Sequence, residues 1–294
     1  DYAMLLMREA GTEIVTPPDG TVNLQDANVR ISLSATDPVP DGDISGVSIF
    51  YVHPYEGNII YLYDNTDWQP RLITSVLNKT ASFAAGVTFD VFLYWTGTAV
   101  AIETVAWGTS VPPTRLIDLA ILDGIYVKSG DPTRRYIGTL TMDLSGTLSD
   151  TQNDRLVWNY YNRLHRSCFK VQSSTWAGAT GWRAFNNNTA NKITVTRGLL
   201  DGHDFIFSFL SGTSDLAGNA AAALAGIGID QTASNDAGLE LPWRTDLVAL
   251  ENAQGFGLSV LQHAKLARTI YYGLESSTTA TTLGPAGIFG WVRN

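Results

Sequence analysis

The chain has 294 residues, of which 45% are hydrophobic and 16% charged, and its formal net charge is −9. This hydrophobic content excludes a disordered chain, and the acidic balance argues against nucleic-acid binding, which needs Lys/Arg clusters to neutralise phosphates. A single cysteine excludes an intrachain disulfide framework, and no apolar run approaches the roughly 18 residues that predict a membrane span.

The composition predicts a neutral, polar surface. Charged residues fall well below the usual share of about a quarter, and threonine, serine, asparagine and glycine take their place. This pattern is typical of β-rich extracellular and virion proteins. We expect Cys168 to be a buried, inert thiol rather than half of an intermolecular disulfide. The first residues, DYAMLLMREAG, do not resemble a secretory signal peptide.

Alternating apolar and polar residues predict strands through the first half of the chain. The turn-rich run from Asp64 to Asp67 predicts a hairpin that continues into Trp68. Residues 112–122 instead space their apolar side chains by three and four, with proline at the start and Asp123-Gly124 behind, so they predict a short helix. The strands predicted in this half are residues 29–34, 47–52, 58–63, 88–95 and 100–107.

The strand pattern resumes after Asp150. Phe205, Phe207 and Phe209 alternate with other residues, which predicts a strand with one buried face. The Asp-Gly dipeptide at 201–202 lies between two strand patterns and predicts a hairpin turn. The strands predicted in this half are residues 156–171, 192–196, 205–210, 224–229, 257–261 and 269–274.

These patterns predict an all-β fold of two antiparallel β-sandwich or jelly-roll-like domains with one short helix. The expected division has four parts, and the third is basic. They are an N-terminal arm or attachment segment at 1–44, a first β domain at 45–126, a basic connecting segment at 127–150 and a C-terminal β-sandwich knob domain at 151–294.

Metal and cofactor chemistry finds little support in the sequence. The four histidines show no HxH, HExxH or HxxxH spacing, and one cysteine cannot supply a set of thiolates. Asp37, Asp41 and Asp43, and the pair Asp64 and Asp67, lack the EF-hand spacing and fit solvated turns better than calcium sites. We therefore predict no metal site and no cofactor.

One pair of carboxylates could serve glycoside hydrolysis, which requires two such groups roughly 5–10 Å apart. Asp201 and Asp204 flank His203, but the Asp-Gly turn is the favoured interpretation of this run. No GxSxG, P-loop or dinucleotide-binding fingerprint occurs. The sequence predicts no catalytic residues, and so a protein that is not an enzyme.

The charge balance inverts in one block of the chain. Residues 128–170 carry 7 Lys/Arg against 4 Asp/Glu, whereas residues 1–127 carry 5 against 15. Such an inversion marks a buried ion-pair network, a subunit interface or a binding face. Adjacent residues of a strand point to opposite faces, so Arg134 and Arg135 cannot share one carboxylate. We expect one to pair with Asp131 or a neighbouring chain and the other to stay at the surface.

The same block is rich in aromatic residues. Strand alternation places Trp158 and Tyr160 on one face and Tyr161 and Arg163 on the other. A strand with aromatics on both faces is expected to be covered on both sides, by a second domain or a second subunit. We therefore predict a subunit or domain junction built from Asp131, Arg134, Arg135, Tyr136, Trp158, Tyr160, Tyr161 and Arg163.

Two runs in this block, VKSGDPTRRYIGTL at 127–140 and VWNYYNR at 157–163, resemble tailed-bacteriophage virion proteins of the fibre or spike type. In those proteins, which form ends of fibres, tail fibres or head fibres, a run similar to DGVLVKSGDPTRRYLGT precedes WNYYNR. Weaker matches extend the resemblance over most of the chain from Val47 onwards. They lie at residues 51–64, 89–94, 184–191 and 287–292.

The resemblance implies a β-rich, homotrimeric virion component that is exposed on the particle and bound to other virion proteins such as capsid, portal or tail. It also implies attachment to a host cell-surface glycan or protein, with the arm at 1–44 as anchor and the C-terminal domain as outer knob. Assembly in the host cytoplasm fits the lack of disulfides and signal peptide. Two alternatives stay open: a polysaccharide-degrading tailspike, and a minor capsid or decoration protein with no receptor role.

Overall fold

The computed structural model describes residues 24, 27–110, 112–200, 204–214, 222–236, 239–241, 243–244, 253–263, 266–277 and 281–293. These residues are almost entirely β structure, with one short 3-10 helix at Phe185–Asn187, so the predicted all-β class is confirmed. The strands are β1 Val29–Ser32, β2 Ile44–Val47, β3 Ile49–Pro54, β4 Ile59–Tyr63, β5 Trp68–Leu72, β6 Leu77–Thr80, β7 Thr88–Trp95, β8 Val100–Ala106, β9 Leu119–Leu122, β10 Ile125–Lys128, β11 Asp131–Thr141, β12 Leu148–Asp150, β13 Asp154–Arg155, β14 Val157–Asn159, β15 His165–Gln172, β16 Trp176–Ala177, β17 Arg183–Ala184, β18 Lys192–Arg197, β19 Asp204–Ser214, β20 Ala222–Ile229, β21 Leu239–Leu241, β22 Trp243–Arg244, β23 Ala253–His263, β24 Ala267–Ser277 and β25 Thr281–Arg293.

The first sandwich packs two antiparallel layers against each other. One layer holds the sheet β1-β3-β6 and the β4–β5 ribbon, and the other holds β8-β7-β11-β10-β9 with β14 beside β11. Phe50, Phe89 and Ile137 are among the fully buried side chains between them. Strand β7 is buried from Thr88 to Leu93 because both of its faces are covered.

The second sandwich is built from two larger sheets. One has the order β15-β25-β19-β23-β21, with β16 beside β25, and the other has the order β2-β12-β13-β18-β24-β20-β22, with β17 beside β24. Ile193, Ile206 and Tyr271 lie in the core between them. Strand β2 comes from the first half of the chain. The second sandwich therefore includes residues that precede most strands of the first sandwich in sequence.

The segment 127–150 belongs to both bodies. It supplies β11 to the centre of the first sandwich and β12 to a sheet of the second. This arrangement describes a shared segment rather than an exposed linker. The domain boundaries given above stay a prediction, and residues 1–23 of the proposed arm lie outside the described part of the chain.

The helix predicted at 112–122 is wrong. Leu119–Leu122 form strand β9, which pairs with β10 through a two-residue loop that joins Leu122 to Ile125. The loop residues Asp123 and Gly124 both have positive φ, 50° and 81°. This is the backbone of a type I′ hairpin turn, in which Asp-Gly is favoured. The dipeptide interpreted as a helix end is therefore a hairpin signal.

Of the two predicted hairpins, one is confirmed and one is wrong. Strands β4 and β5 pair across the turn at 64–67, where Asp64 Oδ1 accepts hydrogen bonds from the amides of Thr66 and Asp67, both at 2.9 Å. Strands β18 and β19 do not pair, because β18 pairs with β24 and β19 with β23 and β25. The connection between them crosses from one sheet to the other, and residues 201–203 lie outside the described residues.

Candidate functional site

The two arginines of the predicted junction lie on opposite faces of β11, as strand geometry requires. The Arg134 Nε lies 2.8 Å from Glu103 Oε2 and 3.5 Å from Asp131 Oδ2, and its guanidinium covers the Tyr94 ring at 4.0 Å. Lys128 also contacts Glu103, at 2.5 Å. Burial opposes ionisation of Glu103, but these two cations outweigh it and hold the pKa of that carboxyl below its usual value.

Arg135 is fully buried, so the expectation that one arginine stays at the surface is wrong. Its Nη1 donates to the Tyr61 carbonyl at 2.9 Å and its Nε donates to the Tyr161 hydroxyl at 3.2 Å. The guanidinium also lies over the rings of Tyr161, at 4.8 Å, and Trp68, at 5.9 Å. Arg135 therefore ties the β4–β5 ribbon and the segment after β14 to the central strand of the first sandwich.

An aromatic cluster covers the other side of β7 and β11. Tyr136 and Trp158 are buried, with ring centroids 6.4 Å apart, and Tyr160 packs against them at 5.8 Å and 6.2 Å. Tyr161 meets the Tyr160 ring edge-on at 4.7 Å. Arg163 lies over the Trp158 ring at 5.2 Å. The structure thus brings Tyr136, Trp158, Tyr160, Tyr161 and Arg163 together, whereas Arg134 and Asp131 lie in a separate ion-pair cluster with Glu103.

The cluster meets the second sandwich at Gly198, directly after β18. A Cβ at Gly198 would lie 2.8 Å from Trp158 Cε3 and still closer to the Tyr136 and Thr139 side-chain oxygens. Arg115 donates to Asp90 at 2.7 and 3.1 Å and to the Gly198 carbonyl at 2.7 Å.

Two opposing effects act on the Arg115–Asp90 pair. Burial lowers the pKa of Arg115, but the Asp90 carboxylate outweighs it and raises that pKa overall. Burial also raises the pKa of Asp90. Arg115 donates two hydrogen bonds to the same carboxylate, so we assign the ion pair as the state at neutral pH.

Buried hydroxyl groups add a second link between the sandwiches. Thr141 of β11 lies 2.9 Å from Thr88 and 2.8 Å from Thr196 of β18, measured between the Oγ1 atoms. Thr196 donates to Thr141, and Thr141 can donate in turn to Thr88, so the middle hydroxyl bonds to both neighbours. Together with the Gly198 contact, these bonds place the aromatic cluster between the two sandwiches. The prediction that the block also serves a subunit contact stays a prediction.

A second feature was missed from the sequence: an aromatic face on the outside of the second sandwich, formed by Phe169, Phe205, Phe207, Phe209, Phe289 and Trp291. The single buried face predicted for β19 is the one that carries Ile206, Ser208 and Leu210, and the phenylalanines lie on its other face. Phe169, Phe205 and Trp291 are 43%, 45% and 48% exposed.

Strand register explains why these rings form one surface. Phe169 of β15 and Phe207 of β19 both lie opposite Phe289 of β25. The rings of Phe207 and Phe289 stack at 5.3 Å, and Trp291 meets Phe207 edge-on at 5.6 Å. Phe209 fills the space above Gly287, where a Cβ would come within 2.5 Å of its ring. The sequence signal for this surface was the pair of runs FIFSF at 205–209 and GIFGW at 287–291. When the two runs are aligned antiparallel, their aromatic residues fall on the same face of the sheet.

The acidic pair considered for glycoside hydrolysis is not available as a pair. Asp204 is buried, forms an ion pair with Arg197 and accepts a hydrogen bond from the Tyr271 hydroxyl at 2.9 Å. Asp201 and His203 lie outside the described residues. Within the described residues, no group of three or more His, Cys, Asp or Glu is arranged to hold a metal ion. No helix among them is long and apolar enough to cross a membrane.

Comparisons with known proteins add little. No protein-family model matches the chain, and no curated protein matches it. Among solved structures, one similar chain is a Bacillus thuringiensis Cry1Da tryptic core variant, with 10% identity, a TM-score of 0.18 and an alignment that covers 84% of this chain. The alignment spans 48% of that longer chain. Similarity at this level carries no argument about fold or function.

Proposed function

We propose that the chain is a structural component of a tailed-bacteriophage virion, of the fibre, spike or decoration kind, that forms a homotrimer, is exposed on the particle and contributes to host attachment. The observation that carries the proposal is the exposed aromatic face of the second sandwich. The resemblance of the SGDPTRRY and WNYYNR runs to phage fibre and spike proteins supports the same assignment.

The aromatic face fits contact between copies of the chain. Taking about 200 Å² for each aromatic side chain, the exposed fractions of Phe169, Phe205 and Trp291 leave about 270 Å² of ring surface open to solvent. The largest contiguous apolar patch on a typical monomer covers about 300–600 Å² and is often functional, and this face approaches that range. An apolar centre with a polar rim is the usual arrangement of an interface. The exposed His165, Ser167 and Arg293 provide such a rim on the same two strands.

In a trimer, three such faces turned towards one axis would cover one another. Trimerisation would also multiply the host-binding sites on each fibre or spike. Several weak contacts with a repetitive cell surface then add through their effective concentration. The role we propose is therefore binding and assembly rather than catalysis.

The test is to locate the chain on particles. Antibodies raised against the purified protein should place gold label on the outside of intact virions of the phage that encodes it. Label confined to the lysate, with none on purified particles, would contradict a virion role. The purified protein should also compete with the phage for adsorption. Labelled particles without such competition would favour a decoration protein, and shortened host glycans would favour a tailspike.

A further inference from the structure

A groove of about 320 Å³ opens on the first sandwich, between the end of β5 and the β7–β8 hairpin. The side chains relevant to binding are those of Pro70, Arg71, Thr74, Ser75, Trp95 and Thr98. This volume lies at the small end of the range for ligand sites, about 300–1,000 Å³. It suits a single small unit rather than an extended chain.

Arg71 is held in place without an acceptor for its hydrogen bonds. Its guanidinium carbon lies 4.3 Å from the centre of the Trp95 ring. Its Nε is buried and has no hydrogen-bond acceptor among the described residues. No hydrogen bond of its two Nη atoms occurs among the described residues either. The guanidinium therefore has a fixed orientation and unused Nη donors, which are the two conditions for bidentate binding of an oxyanion at low entropic cost.

Neighbouring acidic groups do not meet this need. Asp64 feels the charge of Arg71, but its Oδ1 accepts the amides of Thr66 and Asp67. No ion pair of Arg71 occurs among the described residues.

Most other arginines of the described chain have an acceptor in the protein. Those with a carboxylate or carbonyl partner are Arg30, Arg115, Arg134, Arg135, Arg155, Arg166, Arg183 and Arg197. Arg268 and Arg293 resemble Arg71 in lacking one, but neither lies over an aromatic ring in the described residues. Of Arg71, Arg268 and Arg293, Arg71 is the one whose guanidinium lies over an aromatic ring and beside the groove described above.

The other residues that line the groove indicate which groups, besides an oxyanion, a ligand would need. The hydroxyls of Thr74 and Ser75 are exposed and make no hydrogen bond within the described residues, and Thr98 Oγ1 has only a 3.3 Å contact with Thr96 Oγ1. Hydroxyl groups can donate to and accept from the hydroxyls of a ligand. Pro70 and the edge of Trp95 add apolar surface. A ligand with a carboxylate, several hydroxyls and an apolar ring face would satisfy all of these groups.

We propose that this groove binds one carboxylate-bearing sugar residue, a hexuronate, whose carboxylate pairs with the Arg71 guanidinium while Trp95 holds that guanidinium in position. The site lies on the first sandwich and the aromatic face on the second, so the proposal does not depend on trimer formation or on a virion role. A chain that stayed monomeric would still bind the sugar.

Isothermal titration of the full chain tests the proposal with sodium glucuronate, glucose and acetate at constant ionic strength. Glucuronate should bind best, because only it combines the carboxylate with the hydroxyls. Arg71→Gln should weaken its binding by about tenfold to a hundredfold, as expected for loss of charge-assisted hydrogen bonds. Arg71→Lys, which keeps the charge without the planar fork, should fall between. The matched control is Arg268→Gln on the second sandwich, which should bind like the native chain.

Several results would overturn the proposal. If glucose bound as tightly as glucuronate, the carboxylate would not contribute to recognition. If acetate bound as tightly as glucuronate, the sugar hydroxyls would not contribute. Binding of glucuronate that Arg71→Gln leaves unchanged would place it elsewhere, and no binding at all would eliminate the site. Preference for a peptide with a free C-terminal carboxylate would assign the groove to a peptide. Unchanged thermal unfolding of Arg71→Gln would exclude misfolding, because among the described residues Arg71 contributes a ring contact with Trp95 but no side-chain hydrogen bond or ion pair.

Discussion

The Tyr136 hydroxyl lies against the Cα of Gly198 so closely that no Cβ fits between them. This contact joins the central strand of the first sandwich to the end of β18 in the second. Arg115, which is paired with Asp90, also donates a hydrogen bond to the Gly198 carbonyl. The two sandwiches therefore approach each other closely at Gly198, and the stability of the chain depends on that contact.

Gly198→Ala should destabilise the protein by about 1–3 kcal/mol, the usual cost of forcing extra volume into a packed site. The added methyl would collide with Tyr136, Thr139 and Trp158. Urea unfolding measures the loss. Gly42→Ala is the matched control, because a Cβ there meets nothing within 4 Å. Equal stabilities of the two variants would mean that the sandwiches do not meet as described.

Arg135 and Arg134 should differ sharply in their contribution to stability although they are neighbours. Arg135→Met leaves the Tyr61 carbonyl and Tyr161 hydroxyl without their buried donor and should cost about 2–6 kcal/mol, since each unsatisfied buried group costs about 1–3 kcal/mol. Arg134→Met removes an ion pair whose side chains are 24% and 25% exposed and should cost about 1 kcal/mol or less. Urea unfolding again measures both changes, and similar losses for the two variants would contradict the burial of Arg135.

The Glu103 cluster should make the protein sensitive to acid. The folded-state pKa of Glu103 lies below its usual 4.5. Its stabilisation is therefore fully present above pH 4.5 and is lost as the pH falls through the folded-state pKa. Glu103→Gln should lower the free energy of unfolding at pH 7 and converge with the native chain in acid. A difference that is independent of pH would show that the carboxylate charge is not responsible.

Cys168 should be unreactive in the folded protein. Burial raises the pKa of its thiol to about 12, so almost no thiolate is present at neutral pH. Iodoacetamide at pH 8 should leave the native chain unmodified and alkylate it fully in urea, as read by intact mass. Fast native alkylation would show that the second sandwich opens at β15.

Many of the strands could be predicted from the sequence, but the face to which some of their side chains point could not. Strand β7 was predicted with its observed bounds because it is rich in β-branched and aromatic residues and stops at the Thr96-Gly97 turn signal. Strand β19 could have buried either of its two faces. In the structure Ile206, Ser208 and Leu210 face the core and the phenylalanines face outwards. Segment 119–122 is too short to distinguish a helix from a strand by spacing, and pairing with β10 decided it.

The junction was predicted only in part for a similar reason. Alternation correctly separated Arg134 from Arg135, but it could not say which face would be covered. Arg135 is buried by Tyr61 and Trp68, which lie more than 60 residues earlier in the chain and reach it only through the β4–β5 hairpin. Contacts between residues so far apart in the chain produce no periodic pattern in the sequence from which they could be predicted. The close approach of Gly198 is equally invisible, since a glycine after a strand normally indicates a turn.

Sedimentation velocity of the full chain tests the central claim most directly. The account predicts a species of three times the 31.9 kDa chain mass, and dissociation to monomer in the double variant Phe205→Ser, Trp291→Ser. Leu116→Ser removes a more exposed apolar side chain from the first sandwich and should leave the trimer intact. A native chain that sediments as a monomer, or a double variant that remains a trimer, would contradict assembly through the aromatic face.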